Sequence, residues 1–393
     1  MSERLTYFDD GSRQIAVALP FDLDAWIGEW SGLRSTMIRN CPDAFARDEW
    51  AYLITFLDPE ALRRMFESHF GKRTSDSSAA IAALARPRGP IAIWLPNNVS
   101  LLGPLTLILA SLSGNPVWLK AGSRSEDLAA AFLDFCRTAL PQGPLADYLQ
   151  SRVRLESFDR DDPRVREMAQ TAAVRIVFGS DEAVAAIDAL PHPPESISFA
   201  FSDRRSEAWI EPSRVDDATL ENLAKVFAIY GQAGCTSPRR VVLIDGTIDE
   251  ARSARDRLLA VWRKAIPRDP PMHQASANIM TRQHAAILGW SAELTERHGA
   301  VLAVGDASLP EIEGPSVLPF VALPLEQAIA QLPSKIQTIG HAVANPRNPR
   351  WLRMLASTSV KRFVPLARMH HFGPVWDGLR FWQMFFEEVE VAS

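Results

Sequence analysis

In the stretch YGQAGCTSPRR, residues 230–240, a single cysteine, Cys235, stands among small residues. A catalytic thiol needs access, a base or a depressed pKa, and donors for the oxyanion formed when it attacks a carbonyl. Gly231, Ala233 and Gly234 allow unusual backbone angles and close substrate approach. Backbone N–H groups around Cys235 offer part of an oxyanion hole. The competing reading is a buried, inert thiol in a tight turn, because cysteine is commonly buried. Cys41 and Cys136 share no metal-ligand spacing with Cys235. His370 and His371, adjacent on a strand, would point to opposite faces and make no common ligand site; His371 reads as structural. The chain has no G-x-S-x-G with a Ser-His-Asp set, no H-E-x-x-H and no G-x-G-x-x-G.

The elements that must hold this thiol are legible on both sides of it. "DDATLENLAKVFAIY" spaces Leu220, Leu223, Val226, Phe227 and Tyr230 as on a helix, with acids in the first turn, where the helix dipole favours them. It runs directly into the cysteine stretch, and "RRVVLID" follows as a strand. From about residue 88, strands and helices alternate. "PIAIWL", "NPVWLK" and "VRIVF" read as buried strands; "LLGPLTLILASL", "SEDLAAAFLDFCRTAL" and "SDEAVAAIDAL" read as helices. That alternation argues for an open parallel sheet, in which ligands bind outside the carboxyl ends of the strands. Downstream, "TIDEARSARDRLLAVWRKAI" reads as a helix, "AVLAV" and "VLPFVAL" as strands. Gly103, Pro104, Gly114 and Pro116 interrupt the most apolar stretch, which therefore reads as a buried helix and strand, not a membrane span.

Gly-Gln followed closely by Cys and then Ser-Pro-Arg resembles the nucleophile segment of the aldehyde dehydrogenase superfamily. "GQAGCTSPR" is most similar to the fatty acyl-CoA reductases of the bacterial luminescence type, the LuxC family. Further segments agree in order: "PIAIWLPNNVSLLGPLTLILASLSGNPVWLKAGS", "VRIVFGSDEAV", "SKIQTIGHAV" and "VKRFVPLARM…WDG". The resemblance spans residues 85–380. It implies that Cys235 is the nucleophile and that Asn98, in preference to Asn97, supplies a side-chain amide to the oxyanion. It implies that Lys120 contacts the adenosine ribose, and that Gly179 and Ser180 face the cofactor phosphates at a helix N-terminus. Asp181 and Glu182 on that turn oppose an anion. Superfamily members bind their dinucleotide without a G-x-G-x-x-G loop, so its absence agrees. Many NAD-selective relatives keep a glutamate three residues after the lysine. Here Ser123 takes that place beside Arg124, which suits a 2′-phosphate and implies NADPH; the alternative is that Arg124 starts a surface helix. Hydrolytic relatives use a glutamate to activate water, whereas Ala200 falls near that position and Glu207 lies several residues on. An acyl-cysteine would then survive to exchange with a thiol or accept hydride. Trp376, Asp377 and Gly378 match the family's terminal motif without an assigned chemistry.

The expectation is an α/β, aldehyde dehydrogenase-like chain with a Rossmann-like cofactor domain and a second α/β catalytic domain. Residues 1–80 form a mostly helical segment on the cofactor domain, 81–205 the nicotinamide-dinucleotide domain, 206–355 the catalytic domain with Cys235, and 356–393 a segment returning to the body or to an oligomer interface. The expected activity is NADPH-dependent reduction of an acyl thioester to an aldehyde through acyl-Cys235. An NAD(P)-dependent aldehyde dehydrogenase and an inactive scaffold in a fatty-acid reductase assembly are the alternatives. The expected partners are acyl-CoA or acyl carrier protein, with a homo-oligomer or an acyl-activating enzyme as a further associate and with no metal. The net charge of −5 gives no support to a nucleic-acid surface. Three cysteines and an N-terminus without an apolar signal region fit a reducing cytoplasm. A basic patch for an acidic carrier would require "SPRR" and "SDRR" to lie together.

Overall fold

The computed structural model describes residues 4–75, 81–122, 128–232 and 234–392, with only the backbone of Tyr230 and Gly231. The chain forms two units: Met1–Ser202 with Gly373–Ser393, and the contiguous Asp203–Phe372.

The first unit holds two five-stranded sheets. One contains β1 (Arg4–Asp9), β2 (Gln14–Leu19), β3 (Lys72–Thr74), β4 (Ile81–Pro87) and the strand Phe386–Glu390, which pairs antiparallel with β4. β1 and β2 form a hairpin, and Asp10 closes its turn by accepting from the N–H groups of Ser12 (2.8 Å) and Arg13 (3.0 Å). Phe8 packs on Phe66 and Phe70, so the apolar stripe of helix Pro59–Phe70 is buried against the sheet.

The other sheet is wholly parallel: β5 (Ile91–Trp94), β6 (Val117–Lys120), β7 (Val153–Glu156), β8 (Val174–Phe178) and β9 (Ile197–Phe201), in the order β7-β6-β5-β8-β9. The chain fills one side of β5 first, then returns to fill the other, so a topological switch point lies between β5 and β8. Helix Leu102–Ser111 links β5 to β6 and is buried on every side, which explains its lack of a polar face. Pro104 sits in its first turn, where no helical N–H is lost. Ser111 donates to the Ile108 carbonyl (2.6 Å) and accepts from Trp30 Nε1 (2.9 Å). Among the described residues no helix is long and apolar enough to cross a membrane. Buried Asn115 accepts from Gly89 N–H (2.9 Å) and donates to the Phe385 carbonyl (3.0 Å), joining the sheet to the C-terminal segment.

The second unit is built on one seven-stranded sheet. It contains β10 (Arg205–Ile210), β11 (Pro238–Ile244), β12 (Ser291–Leu294), β13 (Val301–Val304), β14 (Val317–Leu323), β15 (Ile336–Ala342) and β16 (Arg362–Pro365). The order is β12-β13-β14-β11-β10-β15-β16, parallel except for β12. Alternate residues of β11 enter two cores. Val241 and Leu243 meet helices Asp217–Ala228 and Ile248–Ala265, while Val242 and Ile244 join Ala285 and Trp351 on the other face. Two covered faces account for strands that read as unbroken apolar runs. Asp216 caps the helix before the cysteine stretch by accepting from Thr219 N–H (2.7 Å).

Candidate active site

Helix Asp217–Ala228 passes into a 3₁₀ turn, Ile229–Gln232, and β11 begins at Pro238. Cys235 therefore stands at the amino edge of the second unit's sheet. Ser237 N–H donates to the Gly234 carbonyl at 3.0 Å, which puts Cys235 and Thr236 at the centre of a β-turn.

Three side chains tether this turn. Buried Gln232, at φ 65°, donates from Nε2 to the carbonyls of Val317 (2.7 Å) and Pro238 (3.2 Å) and accepts at Oε1 from Val317 N–H (3.1 Å). Its amide thus pairs with the start of β14 as another strand would. Ser206 of β10 donates its hydroxyl to the Cys235 carbonyl at 2.7 Å. The Thr236 hydroxyl lies 2.7 Å from His370 Nδ1, and His370 Nε2 lies 2.7 Å from the Val226 carbonyl. A carbonyl only accepts, so Nε2 carries the proton, and Nδ1 of the neutral ring accepts from Thr236. Burial holds the His370 pKa down at about 4, with Arg362 and His371 adding to the effect. Arg362 in turn fixes the segment that carries His370. Its guanidinium donates to the Met369 carbonyl (2.8 Å), the His371 carbonyl (2.9 Å) and Thr338 Oγ1 (3.3 Å).

The three cysteines sit in different surroundings. Cys136 is fully buried, and burial raises its thiol pKa; Cys41 is exposed; Cys235 is half-buried on a backbone whose carbonyl is already committed. Such a turn presents a thiol with a fixed direction of approach. No group of three or more His, Cys, Asp or Glu suited to a metal occurs among the described residues.

In the first unit the parallel strands send their carboxyl ends to a common edge. Trp94 is level with Lys120 on one side and Val177 on the other. Asn98 and Asn97 lie exposed in the bend after β5. Lys120, at the end of β6, is half-buried; Nζ lies 5.2 Å from the centroid of Phe158 and 3.4 Å from the Ala121 carbonyl. Desolvation lowers its pKa, opposed by Asp159. Gly179 and Ser180 follow β8. The Gly179 N–H donates to the Phe201 carbonyl (3.2 Å), and Ser180 caps helix Asp181–Asp188 by accepting from Ala183 N–H (3.3 Å). Asn98, Lys120, Gly179 and Ser180 thus share one sheet edge and flank its switch point. Ser180 already takes one helix N–H, and Asp181 and Glu182 bring carboxylates to that turn, so Lys120 is the stronger anion- and hydroxyl-binding group of this edge. Ser123 and Arg124 lie outside the described residues. Two cavities lie away from this edge: one of about 280 Å³ near the amino ends of β5, β6 and β7, and one of about 190 Å³ lined by Gly114, Tyr148 and Arg152.

Ala200 lies within β9, level with Val177, and Ile197–Phe201 contains no acid. Glu207 is buried in β10, where Oε1 meets Arg240 (2.7 Å) and Oε2 accepts from Trp209 Nε1 (2.8 Å). Burial raises its pKa while Arg240 and Trp209 oppose the rise. Its oxygens hold strands together. Trp376, Asp377 and Gly378 belong to a small hairpin, Val375–Trp376 against Leu379–Arg380. Asp377 (φ 50°) and Gly378 (φ 80°) are its two-residue loop, as a type I′ turn requires. Sequence reasoning did not assign Ser206, Gln232, Thr236 or His370 to the support of the Cys235 turn, and it weighed His370 only as half of a ligand pair with His371. Gln232 stood in the quoted stretch, a polar residue between an apolar helix and a buried strand; Ser206 and His370 are too remote in sequence to have signalled contact.

Residues 29–386 match the family described as acyl-CoA reductase (LuxC). No curated protein matches the chain significantly. The fold is similar to that of an NAD-dependent aldehyde dehydrogenase from Sinorhizobium meliloti, with TM-score 0.67, 14% identity, and coverage of 94% of this chain and 82% of the other. A succinic semialdehyde dehydrogenase from Streptococcus pyogenes, in complex with NADP+, gives TM-score 0.66, 14% identity and coverage of 94% and 90%. An indole-3-acetaldehyde dehydrogenase from P. syringae, in complex with NAD+, gives TM-score 0.61, 14% identity and coverage of 94% and 85%. At such identities the likeness establishes the aldehyde dehydrogenase fold, while the family match reaches over most of the sequence. The chain belongs to the acyl-CoA reductase (LuxC) family, oxidoreductases on an aldehyde dehydrogenase-like α/β framework.

Proposed function

We propose that the protein is an NADPH-dependent reductase that converts an acyl thioester to an aldehyde through an acyl-Cys235 intermediate. The observation that carries the reading is the Cys235 turn, half-exposed and tethered by Gln232, Ser206 and His370 through Thr236.

In the proposed reaction the Cys235 thiolate attacks the thioester carbonyl. The Asn98 side-chain amide and a backbone N–H near Cys235 hold the oxyanion, each such donor contributing about 3 kcal/mol to the barrier reduction. The C–S bond to the carrier then breaks, and the carrier leaves as a thiol with one proton. When bound, a reduced nicotinamide would supply hydride to the acyl carbon, giving a thiohemiacetal on Cys235. Collapse of that adduct releases aldehyde and returns the cysteine. The ammonium of Lys120 has three donors and one long contact at 3.4 Å, which suits the ribose hydroxyls, with Gly179 and Ser180 bordering the phosphates. The choice of NADPH over NADH rests on Arg124 and on the serine at 123. The absence of an acid in Ile197–Phe201, and the engagement of Glu207 by Arg240, favour an acyl-enzyme that persists against water.

The test is incubation with a panel of acyl-CoAs and NADPH, reading aldehyde and cysteine acylation by mass spectrometry. Aldehyde from at least one thioester, lost in Cys235→Ala, is the expected result. Acid from free aldehyde and NAD+, without aldehyde from any thioester, would overturn the reading in favour of a hydrolytic dehydrogenase.

A further inference from the structure

The two arginine pairs of the sequence, Arg204-Arg205 and Arg239-Arg240, converge at the amino edge of the second unit's sheet. β10 and β11 are neighbours with Ser206 opposite Pro238, so each pair adjoins that register point. Their members have different fates. Arg240 turns to buried Glu207 at 2.7 Å. Arg205 is exposed and reaches Glu311 at 2.8 Å. Arg239 is also exposed, and among the described residues no carboxylate pairs with it. Burial of its stem lowers its pKa, the charge of Arg205 lowers it further, and Glu311 opposes both. Arg205 and Arg239 both feel Glu311, and the other nearby carboxylate, Glu207, is engaged by Arg240, so positive charge is in excess here on a protein of net charge −5.

This surplus lies at the same sheet edge as the candidate nucleophile. Arg205 adjoins Ser206, whose hydroxyl holds the Cys235 carbonyl at 2.7 Å. Arg239 follows Cys235 by four residues, at most about 14 Å of extended chain. Guanidinium forks match phosphate oxygens and bind them with charge-assisted hydrogen bonds. Resting on the reading of Cys235 as the acyl acceptor, we propose that Arg205 and Arg239 form an anion site for the phosphate of a phosphopantetheine-type carrier that delivers the acyl group. Glu311 then holds Arg205 in place until the phosphate displaces it.

The experiment compares the full chain with Arg205→Gln, Arg239→Gln and the double variant on one acyl group borne by coenzyme A, by acyl carrier protein and by pantetheine without phosphate. Direct binding of coenzyme A by calorimetry gives a readout independent of turnover. For the double variant, KM is expected to rise roughly tenfold or more for the two phosphorylated carriers, with kcat and the pantetheine thioester little changed. Glu311→Gln, which removes the competing carboxylate and leaves both arginines, is expected to tighten coenzyme A binding about two- to threefold. A loss confined to acyl-CoA supports the site with free coenzyme A as the phosphate source. A loss confined to the carrier protein would assign the arginines to an acidic protein surface and overturn the phosphate site, as would an equal loss on all three substrates. Coenzyme A binding that depends on the arginines in an enzyme that reduces no thioester would sink the reductase reading and leave the anion site standing. Turnover of all carriers with unchanged coenzyme A affinity in the double variant would do the reverse.

Discussion

The carboxyl edge of the β5–β9 sheet and the amino edge of the β10–β16 sheet are built on opposite plans. At the first, Asn98 lies exposed in a bend, and Lys120 ends its strand with donors to spare. At the second, Gln232, Ser206 and His370 fasten the backbone on either side of Cys235. A group that greets a ligand gains from an exposed position at a strand end. A group that attacks a carbonyl gains from a backbone that cannot turn away, because a misplacement of 1 Å can cost about 10²-fold in rate. In the proposed reaction the contrast sets donors that receive a ligand, Asn98 and Lys120, against the fixed turn of the attacking group.

Substitutions at the two edges should break that contrast in different ways. Cys235→Ala is expected to reduce aldehyde formation by at least ~10³-fold and to abolish acyl labelling, while KM for the nicotinamide cofactor stays put. Single-turnover kinetics and intact-mass measurement check this. Asn98→Ala, at the other edge, should lower kcat by about 10²–10³-fold with little change in thioester binding, as loss of one oxyanion donor does; a change in KM alone would remove Asn98 from the chemistry. Gln232→Ala strands two carbonyls and an N–H in a buried turn. We expect it to cost about 2–4 kcal/mol in urea unfolding and to lower kcat, because the turn loses its clamp to β14. Lys120→Ala should raise KM for the cofactor roughly tenfold and spare acyl labelling of Cys235; the two rates measured side by side sharpen the division.

The smallest effect expected is one of pH. His370 titrates at about 4 in the folded protein against an ordinary 6.5, so the unfolded chain binds the extra proton first as pH falls. Its contribution to stability is complete above about 6.5 and is lost as pH drops toward 4. His370→Gln, which can still donate to Val226 and accept from Thr236, should flatten this part of the stability profile by about 1–3 kcal/mol while keeping most activity. His370→Ala should flatten it equally but lower kcat.

Much of the scaffold was readable because it obeys simple periods. β5, β6, β8 and β11 are short apolar runs covered on both faces, and helix Asp217–Ala228 carries its stripe at helical spacing. The N-terminal hairpin was harder. "RLTYFDDGSRQIAVAL" has a turn signal in Asp-Asp-Gly-Ser, yet three following helices dominate residues 1–80 and mask it. Cys235, Asn98 and Lys120 were singled out by motif, and each sits next to a strand end. The tethers were not, because a hydrogen bond between Thr236 and His370 spans 134 residues and leaves no local pattern. Trp376-Asp377-Gly378 shows the converse: a motif with a family match whose geometry is explained by a tight turn.

Strand Phe386–Glu390 joins β4, and Asn115 bonds to the Phe385 carbonyl, so the first unit is assembled from both ends of the chain. During synthesis the contiguous unit Asp203–Phe372 has all its strands as soon as Phe372 is made, whereas the earlier-made unit keeps an open edge on β4, and Asn115 lacks its Phe385 partner, until residues 385–390 are made. The order of maturation thus inverts the order of translation, and the Cys235 turn is set before the unit that holds the β5–β9 sheet is complete.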